Sequence, residues 1–201
     1  MPRPQIGRPV LDMRDIYLLR HTEVGVPKTL CYGRTDVPLG DAADIQIEAA
    51  IERLPSAARE AQTVWTSPAR RCTALAERLS AEATIDPRLV EFDFGHWEGA
   101  HWTALPQLTL SQWSANVGSV RVPGGENLVR VAARAGACLA DAQAAGEGPV
   151  LLVTHGGVIR ALIASLCGLA YDQVTRLAID FGRSACIRLH ATHAELRYLN
   201  R

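Results

Sequence analysis

The chain has 201 residues, 48% of them hydrophobic and 21% charged, which is globular composition and enough length for one domain with a full core. Its 21 basic and 21 acidic residues cancel, so no overall field steers it toward nucleic acid or an anionic membrane, and any anion must be met by a local basic cluster. The five cysteines, Cys31, Cys72, Cys138, Cys167 and Cys186, are scattered without a C-x-x-C pair, which argues against a disulfide framework or a zinc site and fits a reducing cytoplasm.

The first segment, "MPRPQIGRPVLDMRD", carries three prolines and no apolar stretch of the kind a signal peptide needs. No run in the chain approaches the ~18 apolar residues of a membrane span. The expectation is a soluble cytoplasmic protein, with residues 1–13 a tail and 14–201 a single domain. Ile16 to Leu19 reads as a strand apolar on both faces, and it stops abruptly at Arg20-His21. In "LGDAADIQIEAAIERLP" the apolar residues Ala43, Ile47, Ala50, Ile51 and Leu54 fall at helical spacing, with Asp41 as the expected cap and Pro55 as the stop. "TVWTS" is a second short strand. It runs into "PARRCTALAERLSAE", a helix with Pro68 expected in its first turn.

"RLVEFDFGHWEG" is loop-rich, and "ALPQLTLSQWSANVGSV" reads as partly helical. The region around 97–125 has the character of a cap. "VPGGE" is a turn, followed by an Ala-rich helix that Gly146 ends. "PVLLVTHGGVIRALIASLCG" is the clearest strand-turn-helix unit, and "SACIRLHATHAELRYLN" alternates as a hairpin. Alternating strands and helices predict an α/β fold, a three-layer sandwich with a largely parallel central sheet flanked by helices. Ligands of such sheets sit outside the carboxyl ends of the strands.

Three strands end in matching polar residues: Arg20-His21, Ser67 leading to Arg70 and Arg71, and Thr154-His155. As parallel neighbours they would bring two histidines and at least two arginines to one edge, an anion pocket for which phosphate is the leading candidate. Arginine offers a planar fork that stays charged at any working pH. Gly156 and Gly157 would let backbone amides approach the anion and open a helix facing it. Each feature has an ordinary explanation: a hydrogen-bonded structural histidine, a solvated arginine, a common strand-to-helix glycine. Together, at three equivalent strand ends, the ordinary explanations lose.

The segments "LLRHTEV", "CYGRTDVPL", "TSPARRCTALA", "EFDFGHWEG" and "VTHGGVIRAL" resemble, in this order, the histidine phosphatase (phosphoglycerate mutase-like) superfamily. "CYGRTDVPL" and "PGGEN" are most similar to its alpha-ribazole phosphatases of cobalamin biosynthesis. The resemblance implies that His21 is the nucleophile that becomes phosphohistidine, with Arg20 and Arg71 on the phosphate oxygens, His155 the second histidine and Glu91 the proton donor. Arg71, not Arg70, aligns with the S-x-L-x-R arginine, with Ser67 its serine and Ala69 where leucine is usual. Arg34 and Gly33 of the "YGR" loop, Thr22 and Gly156 would line the substrate side. Thr22 stands where glycine is common and Val24 where threonine is usual, both at the pocket mouth.

Phosphoryl transfer spreads charge over three equatorial oxygens, so positioned cations matter most. On this reading two arginines and a protonated His155 supply that charge with no metal or cofactor. His21 must attack as neutral imidazole, which nearby guanidinium groups favour. Asp93 and Glu98 compete with Glu91 for the acid role on chemistry alone. Trp97, Trp102 and Trp113 could wall a flat ring, but packing of the cap is the preferred explanation. His96, His101, His190 and His193 read as structural or surface. The expected activity is a metal-independent phosphomonoesterase acting on a small-molecule phosphate ester, alpha-ribazole 5'-phosphate first. A phosphoglycerate mutase, a broad-specificity phosphatase and a non-catalytic phospho-ligand module are the alternatives. The expected partners are that ester and a second copy in a homodimer, with no nucleic acid and no membrane.

Overall fold

The computed structural model describes residues 13–201, so most of the expected tail lies outside the described residues. Six strands form one sheet: β1 (Arg14–Arg20), β2 (Thr63–Thr66), β3 (Thr84–Ile85), β4 (Val150–Thr154), β5 (Ser184–Leu189) and β6 (Ala194–Tyr198), in the order β3-β2-β4-β1-β5-β6. The first four neighbours run parallel. β5 is antiparallel to β1, and β6 to β5, so the final hairpin closes one edge of a largely parallel sheet. The helices are α1 (Ala43–Arg53), α2 (Ser56–Arg59), α3 (Arg70–Leu79), α4 (Gln107–Ala115), α5 (Leu128–Ala144) and α6 (Gly156–Cys167).

The doubly apolar strands explain the layers. Ile16, Leu18, Val150, Leu152 and Ile187 point to the face covered by α5 and α6. Their neighbours Tyr17, Leu19, Leu151, Val153 and Cys186 point to the other, covered by α1 and α3. A period of two along each strand thus feeds two cores at once. Burying a leucine on either face contributes roughly 2 kcal/mol.

Two expected helix starts are displaced. Ala42, not Asp41, precedes α1, and it makes no side-chain capping bond. Pro68 lies before Ala69, which precedes α3, because the chain must first turn away from the strand end at Ser67. Asn127 does cap α5, its side chain accepting from the Arg130 N–H. Gly168 ends α6 at φ 68°, the left-handed conformation that favours glycine. The two-residue edge strand β3 was not foreseen; it is too short to carry a period. Among the described residues no helix is long and apolar enough to cross a membrane.

Candidate active site

The register of the sheet aligns the three polar strand ends. Arg20 pairs with Thr154 and Thr66 with Val153, so His21, His155 and Ser67 each stand one residue beyond paired positions. The backbone of His21 is held on both sides: its N–H donates to Thr154 O (3.0 Å) and its carbonyl accepts from Gly182 N (3.0 Å). The two imidazoles lie 5.1 Å apart, edge to face, and both are buried.

A carbonyl can only accept, so the 2.6 Å contact of His21 Nδ1 with Thr22 O places the proton on Nδ1. Nε2 is left with its lone pair. Burial, then the charges of Arg20 and Arg71, hold His21 well below the usual histidine range. It is neutral, as a nucleophile must be. His155 is likewise pushed well below that range by burial, His21 and the two arginines. Burial first, and the neighbouring charges second, therefore disfavour a proton on His155 in the free protein, while the expected charge on it concerns the phosphate-bound state. His155 Nε2 shares a 2.8 Å hydrogen bond with Ser67 Oγ.

Arg71 is 0% exposed while Arg70 is 67% exposed and paired with Asp36. The helical period puts Arg71 on the buried side of α3 with Leu75. It donates to the carbonyls of Gly33 (2.7 Å) and Thr35 (3.0 Å). Gly33 has no alternative there, since a Cβ would stand 1.8 Å from Phe92 O. Arg20 donates to Ile179 O. The Nε of Arg20, the Nε of Arg71 and the Oγ1 of Thr22 are buried with no hydrogen-bond partner. Three orphaned polar groups around one neutral imidazole are costly unless something accepts from them.

Glu91 follows the short turn Pro87–Leu89. Its carboxylate accepts from Phe92 N (2.8 Å) and from Gly157 N (3.1 Å), two residues beyond His155. Arg134 on α5 donates to the carbonyls of Arg88, Val90 and Glu91 and pairs with Glu126, whose carboxylate also accepts from Asp93 N. The "PGGEN" turn thus braces the loop that carries Glu91. Arg134 was missed in the sequence because nothing local marks it.

Beyond Glu91 lies a cavity of about 330 Å³ walled by Phe92, Phe94, Trp113, Val117 and Leu128, with Gly157 and Arg160 at its polar side. Arg160, also missed, anchors its Nε on Leu177 O (3.1 Å). Trp97 is buried and packs edge-on against Trp113, and Trp102 does so against Phe94. Of the three tryptophans Trp113 lines this cavity. Arg34 is exposed and donates to Asp93 (3.2 Å), while its backbone N–H donates to Glu98. Its contacts are with those two carboxylates rather than with the histidines. Asp93 and Glu98 are thereby occupied in holding the 33–35 loop, whereas Glu91 faces the helix that His155 precedes. Among the described residues no group of three or more His, Cys, Asp or Glu side chains is placed to hold a metal ion.

A family model described as "Histidine phosphatase superfamily (branch 1)" matches residues 16–201. A glucosyl-3-phosphoglycerate phosphatase of Mycolicibacterium vanbaalenii is 33% identical over 81% of this chain and 78% of its own length. A mycobacterial glucosyl-3-phosphoglycerate phosphatase solved in complex with VO3 superimposes with TM-score 0.82 at 28% identity, covering 93% of this chain and 98% of that one. The alpha-ribazole phosphatase of Shigella flexneri shares the fold, with TM-score 0.78 at 24% identity over 93% of this chain and 96% of that one. The chain belongs to the histidine phosphatase superfamily and is a phosphoric monoester hydrolase.

Proposed function

We propose that this histidine phosphatase hydrolyses phosphate monoesters through a phosphohistidine on His21, without a metal. The observation that carries the reading is the set of buried, unpartnered donors on Arg20, Arg71 and Thr22 around a neutral imidazole whose Nε2 is unprotonated. A phosphoryl group satisfies those donors and meets the nucleophile at once. The Nε2 lone pair of His21 attacks phosphorus as the ester P–O bond breaks. Glu91, as the carboxylic acid, gives its proton to the departing alkoxide. Water then attacks the phosphohistidine, its proton goes to the Glu91 carboxylate, and the P–N bond breaks to restore neutral His21 and release inorganic phosphate. His155, held by Ser67, contacts the phosphoryl oxygens as a neutral donor or gains its proton only when the dianion arrives.

For the ester we propose alpha-ribazole 5'-phosphate. The apolar and aromatic walls beyond Glu91 suit a flat ring, with Trp113 rather than Trp97 or Trp102 available to meet it. A second reading, an ester of the phosphoglycerate class, is favoured by the relative named for glucosyl-3-phosphoglycerate and by the guanidinium of Arg160 on the same cavity. The test is phosphate release with EDTA present, from alpha-ribazole 5'-phosphate, glucosyl-3-phosphoglycerate, 3-phosphoglycerate and a panel of sugar monophosphates. Acid-labile, alkali-stable labelling from a radioactive ester is expected in the wild type and absent in His21→Ala. Labelling that survives His21→Ala refutes the nucleophile. A preference for the glycerate esters refutes the ribazole assignment and leaves the mechanism standing.

A further inference from the structure

Phe181 sits in the segment that leads into β5, and nothing in the sequence pattern marks it. Its ring lies under the guanidinium of Arg20, 3.7 Å from Cζ to the centroid. The same ring lies 5.4 Å from that of His21. It lines a cleft of about 650 Å³ together with Arg20, Thr22, Lys28, Arg53 and Arg183.

The segment is fixed at both ends. Arg160 Nε donates to Leu177 O (3.1 Å), and Asp180 N donates to Asn200 Oδ1 (2.7 Å). Gly182 N donates to His21 O, and Arg20 N donates to Arg183 O (3.0 Å each). The ring is therefore delivered by the same backbone bonds that hold the nucleophile. It covers one face of the guanidinium and leaves clear the N–H donors, which lie in the plane at the edge of the fork. One of them is used on Ile179 O, and Nε remains unpartnered and buried. A long arginine side chain would otherwise keep several rotamers and lose them when the anion binds. An aromatic face also attracts the cation without consuming a donor, as a carbonyl or carboxylate would.

We propose that Phe181 is a positioning residue for phosphoryl transfer, which stacks on Arg20 to fix the plane of the guanidinium and keep its edge free for the phosphoryl oxygens. The inference rests on the phosphatase reading above. The test compares wild type with Phe181→Leu, Phe181→Trp and a series in which Phe181 is replaced by mono-, di- and trifluorinated phenylalanine. The readouts are affinity for inorganic phosphate and orthovanadate, kcat and KM on p-nitrophenyl phosphate, and melting temperature.

Phe181→Leu is expected to weaken phosphate binding and lower kcat/KM about 10-fold. Phe181→Trp should stay within about 2-fold of wild type. Across the fluorinated series, whose shape is nearly constant, affinity should fall stepwise as the π face weakens, with the melting temperature unchanged. A flat fluorinated series overturns the proposal, even if Phe181→Leu fails to fold. So does Phe181→Leu binding phosphate as tightly as the wild type. Failure of the phosphatase reading looks different: wild type then releases no phosphate from any ester.

Discussion

Gly157→Ala tests the acid step proposed for Glu91. An added Cβ at this position would stand 2.4 Å from Glu91 Oε1 and 3.2 Å from its Cδ. That is roughly 1 Å inside ordinary contact, ~3.5 Å. Position 157 lies in the first turn of α6, and alanine is a better helix residue than glycine by about 1 kcal/mol, so the helix itself gains. Glu91 must yield, because the helix is packed by buried Val158, Ile159 and Ala161 and the carboxyl is the movable partner. A displacement of about 1 Å at a catalytic group costs on the order of 100-fold, and general-acid catalysis as a whole contributes on the order of 10²–10⁴.

The expected result is therefore about a 100-fold fall in kcat on an alkyl phosphate, whose alkoxide needs the proton. On p-nitrophenyl phosphate, whose leaving group barely needs one, the fall should stay below about 5-fold. Glu91→Gln should show the same asymmetry. Steady-state kinetics on both esters, with a melting curve to confirm folding, decide it. Equal losses on the two esters would refute the reasoning, since a displaced phosphate site affects both alike while a displaced acid does not.

Stability should depend on pH through the two buried histidines. Both are held well below the usual range in the fold, so unfolding lets them take up protons once the pH drops below the unfolded value, about 6.5. Their contribution is fully present above that pH and is lost as pH falls. Urea unfolding without phosphate should show a slope of up to about 2.7 kcal/mol per pH unit below 6.5, and His155→Asn should remove about half of it. A slope that His155→Asn leaves unchanged would rule this out. Arg71→Lys, which loses the fork held by Gly33 and Thr35, should lower kcat/KM about 100-fold. Arg70→Lys, an exposed partner of Asp36, should change it less than about 2-fold; the reverse ranking would reassign the phosphate arginine.

Much of the candidate site was legible because its residues stand at the ends of apolar runs. Leu18-Leu19 into Arg20-His21 and Val153-Thr154 into His155 can be read without coordinates, since a strand buried on both faces can place a polar group only where it leaves the sheet. The distinction of Arg71 from Arg70 was open to the same reading, because the spacing to Leu75 puts Arg71 on the packed face of its helix. The expected helix starts at Asp41 and Pro68 failed for a local reason: capping is set by how the chain leaves the preceding turn, which composition does not record.

By itself, then, the sequence determined the alternation of elements, the two-faced strands and the identity of the groups at the sheet edge, because each follows from a period of two or of 3.6 along the chain. Only the tertiary structure decided which groups are neutral, which donors are left unpartnered and which distant residues brace them. Phe181, in the segment before β5, meets Arg20 at the end of β1, and Arg134 holds the Glu91 loop from α5. Burial, then the charges of His21 and the two arginines, hold His155 well below the usual histidine range. Those outcomes depend on burial and on contacts between segments remote in sequence, and no local period encodes either.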